Sequence, residues 1–179
     1  MDLQTVNKFS SPDETRWNLT QPYYSGKALV ATDGHRMMIW RESPTFPAGY
    51  VAIVKKQALP VPEEKGRVFP PWEQVVPSIE GAEKITVTIP RWVGRLKVTG
   101  KQEDRVPSMF DVAAKYHAAF DACLLAPLAE ERVDMYLTGV LEAAVIVPAG
   151  VHPHEAPWMA VVMSMREDAQ NCVKIPAGR

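Results

Sequence analysis

The side chains best suited to chemistry in this sequence lie in two places. Residues 32–36 read Thr-Asp-Gly-His-Arg, which sets Asp33 and His35 two positions apart. A carboxylate beside an imidazole is a pairing used for general acid–base work. Residues 152–155 read His-Pro-His-Glu, and the His-x-His spacing of His152 and His154 can ligate a metal. Both constellations are incomplete. No nucleophile or third orienting group recurs beside Asp33 and His35. Only Glu155 joins the two histidines, so 152–155 reads as an exposed loop. The two cysteines, Cys123 and Cys172, lie far apart and suggest neither a disulfide framework nor a zinc knuckle. A small hydrolase or metal enzyme using His35, Asp33 and the His152/His154 loop is therefore kept only as an alternative. No cofactor is implied.

The elements around these residues explain the first constellation more simply. Asp33-Gly34 separates the apolar runs 28–31 and 37–40. Glycine accepts a positive φ without steric cost, so Asp-Gly between two such runs predicts a β-hairpin. Arg36 would then anchor the turn to a carboxylate or a carbonyl. Before it, residues 2–9 predict a short helix with Leu3, Val6 and Phe9 on one face. Residues 11–14 read as a turn and 16–24 as a strand. After it, 50–55 reads as a strand and the stretch beyond it as an extended connector carrying aromatic and aliphatic anchors. Residues 84–89 alternate cleanly and form a strand, with 95–99 as the expected partner. Residues 112–120 fit a helix or a strand. Asp121 can cap a helix over 122–130, which Pro127 shortens or kinks. Strands follow at 133–138, 142–147 and 158–165, with Gly139 turning the first pair. The tail after Arg166 is polar and reads as frayed.

One helix then strands, a proline-rich middle, and a second helix then strands give an α+β fold with two helix-plus-antiparallel-sheet halves. We place one domain over 1–170. Its halves, 1–65 and 84–166, are joined by a proline-rich connector, 66–83, and a polar tail occupies 167–179. The composition agrees. The chain has 179 residues, 46% of them hydrophobic, enough for a real core. Its 16 prolines punctuate short apolar runs, as expected at strand ends and edges. With 20 basic and 21 acidic residues, the net charge of -1 creates no global field toward nucleic acid or membrane. The opening MDLQTVNKF lacks the features of a signal peptide. No apolar run approaches the roughly 18 residues of a membrane span. A soluble, cytoplasmic protein without membrane partners is expected.

Residues 31–36, ATDGHR, resemble the ATDGHRL signature of the bacterial sliding clamp, the beta subunit of DNA polymerase III. The resemblance extends in both directions. SSPDETRWNLT at 10–20 is similar to the clamp segment where helix meets strand, with Trp17 in place of the usual proline. GRVFPPWEQVVP at 66–77 is similar to the connector between the clamp's middle and last domains. Residues 120–147 look like the last domain's helix and hairpin, and WMAVVMSMR at 158–166 looks like the clamp's final strand, with Ser164 in place of proline. The matches keep their order and cover roughly half the chain. They imply a DNA-clamp-like domain, reduced to the two half-domains that flank the clamp's protein-binding pocket.

That family captures short linear peptides from polymerases, the loader and repair proteins in an apolar pocket. Carried over by position, the pocket residues would be Thr32, His35, Met37, Pro70, Val75, Val161, Met163 and Met165. Methionines and aliphatics make a deformable floor for apolar anchors. DNA is a different matter. A clamp's helices carry lysine and arginine toward the duplex, but 121–131 here offers Asp121, Glu130 and Glu131 and no base. The candidate DNA-facing basic residues are Arg91, Arg95, Lys97 and Lys101, which also fit a solvated sheet face. Closing a ring from one such domain would require a hexamer. The resemblance therefore implies a non-enzymatic replication protein whose partners carry a clamp-binding motif, with DNA a partner only if the chain oligomerises. Such a reduced clamp would suit a phage or mobile element. A DNA-encircling processivity clamp is the alternative.

Overall fold

The computed structural model of the chain describes residues 1–98 and 102–176. Side-chain caps and short apolar runs set its elements. Asp2 accepts the Thr5 amide at 2.7 Å and starts α1, Leu3–Asn7. Val6 and the following Phe9 are fully buried. The strands β1 (Tyr23–Tyr24), β2 (Leu29–Thr32), β3 (Arg36–Trp40), β4 (Gly49–Val54) and β5 (Gln57–Pro60) follow. Next come β6 (Glu83–Thr88), β7 (Pro107–Asp111) and β8 (Phe120–Asp121), then α2 (Ala122–Leu125). The described chain ends with β9 (Arg132–Leu137), β10 (Ala144–Pro148), β11 (Trp158–Val162) and β12 (Val173–Pro176). The fold is α+β, dominated by antiparallel pairing.

The chain forms two compact units. The first comprises residues 1–76 with 156–160, and the second comprises 77–155 with the described residues beyond 160. Within the first, the strand order is β5-β4-β1-β2-β3, and the start of β11 belongs with it. The backbone amide of Arg41 donates to the Pro157 carbonyl at 2.8 Å, tying the return segment to the end of β3. Leu29, Val30, Met38 and Ile39 fill this core beside Val6 and Phe9. Within the second unit, β9 lies between β10 and β6. A separate small sheet runs β12-β7-β8. Ile85, Val87, Leu125, Leu128, Val133, Met135 and Ile146 are buried in this unit.

Several local expectations are corrected. Residues 16–24 are not one strand. Asp13 accepts the Thr15 amide (2.9 Å) and hydroxyl (2.7 Å), which closes a 3-10 turn over Glu14–Arg16 and leaves only β1 extended. Of the expected partner strand 95–99, the described residues 95–98 do not pair with β6, whose described partner is β9, and residue 99 lies outside the described residues. After Pro90, local hydrogen bonds from Val93 to Pro90 and from Leu96 to Val93 wind Val93–Arg95 into a 3-10 turn. Within 112–120, only Phe120 enters a strand. The helix after Asp121 ends at Leu125 and passes into a 3-10 turn, Ala126–Leu128, that contains Pro127. The strand expected over 158–165 stops at Val162, before Ser164. The stretch just after 50–55, expected to be extended and unpaired, holds a strand, β5, which makes a hairpin with β4. The tail is not frayed through its described length. β12 pairs in parallel with β7, and Ile175 is fully buried.

Candidate functional site

The Asp33–Arg36 loop is a self-contained turn. In the hairpin register Thr32 faces Met37. Gly34 takes φ +90°, a conformation that L side chains rarely adopt, and a Cβ there would stand 2.9 Å from the Arg16 guanidinium. Asp33 is buried, and its carboxylate accepts the amides of His35 (2.9 Å) and Arg36 (3.1 Å) and the Arg36 side chain (2.9 Å). Arg36 also donates to the Lys8 carbonyl at 2.6 Å and lies 5.0 Å over the Phe9 ring. So Arg36 anchors the turn to both a carboxylate and a carbonyl. The Thr32 hydroxyl donates to the Arg36 carbonyl at 2.7 Å. Asp33 is thus committed to ion pairing and turn closure, which removes the carboxylate that acid–base chemistry with His35 would need.

The residues implied for peptide capture occupy varied environments. In the first unit, His35 is exposed, Thr32 and Pro70 are half-buried, and Met37 is buried. Val75 closes the 3-10 turn Trp72–Val75 and is 60% exposed. In the second unit, Val161 is buried, whereas Met163 is 51% exposed just past β11. Met165 packs against Met109, Ala119 and Cys172, and its amide donates to the Ala119 carbonyl at 2.9 Å. Among the described large apolar side chains, Val75 and Met163 are therefore ones a partner could reach without rearrangement.

The basic residues and histidines form no concentrated centre. Arg91, Arg95 and Lys97 are exposed, and Arg91 lies 4.0 Å from the Glu130 carboxylate. They flank a 3-10 turn instead of lining a strand face. Lys101 lies outside the described residues. His152 and His154 are exposed with their rings stacked, centroids 5.2 Å apart. Among the described residues, no group of three or more His, Cys, Asp or Glu is placed to hold a metal ion. No described helix is long and apolar enough to cross a membrane.

The most developed polar feature went unread in the sequence. Phe69 of the connector stacks on Tyr23 (5.1 Å) and meets Tyr50 edge-on (6.0 Å), which docks the connector's start onto the first unit. The preceding residue but one, Arg67, is carried inward with it. Its guanidinium lies 3.9 Å over the Tyr50 ring and 6.0 Å from the Trp17 ring. The Tyr50 hydroxyl donates to the Asn18 carbonyl at 3.1 Å, and the Asn18 amide donates to the Val68 carbonyl at 3.4 Å. Burial pushes the Tyr50 phenol above its ordinary range, with the Arg67 charge opposing. The available signal was an arginine two residues before Phe69, the first aromatic of the Phe-Pro-Pro-Trp run at 69–72.

No protein-family model and no curated protein matches this chain. Solved structures do. The DnaN sliding clamp of Bartonella birtlesii bound to griselimycin matches with a TM-score of 0.60 at 17% identity, over 92% of this chain and 63% of that one. The DNA polymerase sliding clamp of Pseudomonas aeruginosa with ligand gives 0.58 at 16% identity, over 92% and 63%. The DNA polymerase III beta subunit of Thermotoga maritima gives 0.57 at 14%, over 93% and 64%. The chain therefore spans less than two thirds of the length of the clamps it matches. At such identities the likeness is one of fold, and that fold is the bacterial sliding clamp's.

Proposed function

We propose that this chain is a sliding-clamp-like binding protein of DNA replication that captures short clamp-binding peptides of a polymerase or loader. The observation that carries the reading is the match of 92% of the chain to clamps solved with a bound ligand, griselimycin among them. The ATDGHR, connector and MSMR motifs support it, because they are the segments from which that family builds its peptide site. In this reading the exposed candidates, His35 and Val75 within the first unit and Met163 within the second, are the residues each unit offers to a peptide. Thr32, Met37, Pro70, Val161 and Met165 support them. Binding by a few apolar anchors asks for no catalytic group and no metal.

Fluorescence polarisation of a labelled clamp-binding peptide tests this. Saturable binding is expected, weakened about tenfold or more by Met163→Asp and separately by Val75→Asp, as for truncated hot spots. Both residues are exposed, so neither substitution should unfold its unit. Affinity indifferent to both variants, or no binding at high micromolar protein, would sink the reading.

A further inference from the structure

Arg67 is the polar group in this molecule whose surroundings ask most for a ligand. Its side chain is only 6% exposed. A guanidinium carries five N–H donors and keeps its charge at any ordinary pH. The polar partners around it are poor. The Thr20 hydroxyl accepts at 3.3 Å, and the nearest carboxylate, Glu64, is 54% exposed and 3.9 Å away, beyond hydrogen-bond distance. The Arg67 Nε is buried with no hydrogen-bond partner. The Tyr50 face at 3.9 Å and the Tyr50 hydroxyl, which interacts with Arg67, compensate part of the charge, but neither matches the guanidinium fork as a carboxylate does. A buried cation in this condition is costly unless a carboxylate closes on it.

The rim of this cradle is apolar and open. Trp17 is partly exposed, and Val68, whose carbonyl is tied to Asn18, is 72% exposed. An occupant is therefore asked for an acceptor pair and apolar surface together. A peptide bearing a carboxylate supplies both, whereas a phosphate backbone supplies acceptors alone.

We propose that Arg67 is a specificity residue that takes a carboxylate of the captured peptide in a forked pair, while Trp17 and Val68 pack against the residue beside it. Glu64 is the exposed placeholder that this carboxylate displaces. The inference rests on the peptide-capture reading above and names the chemistry that one of its ligands would carry. Arginine suits the task because its planar fork matches a carboxylate.

The test uses one set of peptides with common apolar anchors, differing only in charge. One carries an internal Asp and one the isosteric Asn, each with an amidated C-terminus, and a third is the Asn peptide with a free C-terminus. On the unmodified protein the Asp peptide, or the free-terminus peptide, should bind about tenfold tighter than the amidated Asn peptide, as for a charge-assisted hydrogen bond. Which of the two does so assigns the carboxylate to a side chain or to a chain end. Arg67→Gln should abolish the preference, Arg67→Lys should leave a reduced one, and Glu64→Gln should enlarge it. Equal affinity for all three peptides overturns this proposal and leaves peptide capture standing. So does Arg67→Gln weakening all three equally, which is the mark of a packing role. Failure of every peptide to bind the unmodified protein overturns both. Arg67-dependent competition by a single-stranded oligonucleotide would overturn the assignment to peptide in favour of phosphate.

Discussion

At the scale of single residues, the buried charges Asp33 and Asp134 do structural work by being fully committed. The Asp33–Arg36 pair is buried on both sides, at 2.9 Å. Removing one partner strands the other in the core. Arg36→Ala should therefore lower stability by about 3–5 kcal/mol, the usual cost of breaking a buried pair. A urea titration checks it, and a loss below about 1 kcal/mol, the scale of an exposed pair, would contradict a structural role for these two residues. Asp134, equally buried, accepts the Thr86 hydroxyl at 2.6 Å, the Gly150 amide at 2.9 Å and the Lys84 ammonium at 3.3 Å. Burial alone would raise its carboxyl, but these three donors outweigh burial and leave it below the ordinary carboxylate value. A folded value depressed below the unfolded one stabilises fully above the unfolded value. That contribution is lost as pH falls through the folded value. The urea midpoint should therefore drop below about pH 4, and Asp134→Asn should lower it at neutral pH and flatten the acid limb.

At the scale of elements, what is local was legible. Asp-Gly announced the β2–β3 hairpin because only a residue free of Cβ sits easily at φ +90°. Asp121 announced a helix start because its carboxylate satisfies an amide that the helix cannot. The β4–β5 hairpin escaped notice because its turn is Lys55-Lys56, both at positive φ without a glycine or asparagine. β7 and β12 escaped because they are short and lack clean alternation, and each is stabilised by pairing with the other across a long stretch of chain. The cysteines follow from their elements. Cys123 lies in the first turn of α2, and burial, then the Asp121 charge, pushes its thiol up to about 11. Burial likewise raises Cys172, which sits in the Met109–Ala119 cluster. A thiol so raised is scarcely a thiolate at pH 8. A disulfide reagent at that pH should label neither cysteine in the folded protein and both in denaturant. Rapid labelling of the folded protein would contradict the burial described.

At the scale of the whole molecule, charge is the quantity that separates peptide capture from DNA encirclement. A net charge of -1 supplies little counterion release, and the described basic residues Arg91, Arg95 and Lys97 are few and dispersed around a turn. Retention of duplex DNA should therefore be weak for this chain at physiological salt. Tight, salt-steep retention together with sedimentation as a large oligomer would instead favour a ring. The candidate peptide residues were legible only through motif resemblance, because the side chains concerned are ordinary threonine, valine and methionine, which by themselves announce no chemistry. Exposure then sorts them. Val75 and Met163 are on the surface, and Met37 and Val161 are not.

The sequence alone determined the α+β class, the hairpin at 32–37, the helix cap at Asp121 and the family whose fold the chain shares. Each of these is encoded by a few neighbouring residues or by a short motif. Tertiary structure alone decided that β6 pairs with β9, that β12 returns to β7, and that Arg67 is buried against Tyr50 and Trp17 with its nearest carboxylate, the exposed Glu64, 3.9 Å away. The physical reason is range. Caps and turns are closed by hydrogen bonds within a few residues, whereas strand partners and the solvation of a charge depend on which distant segments the folded chain brings alongside.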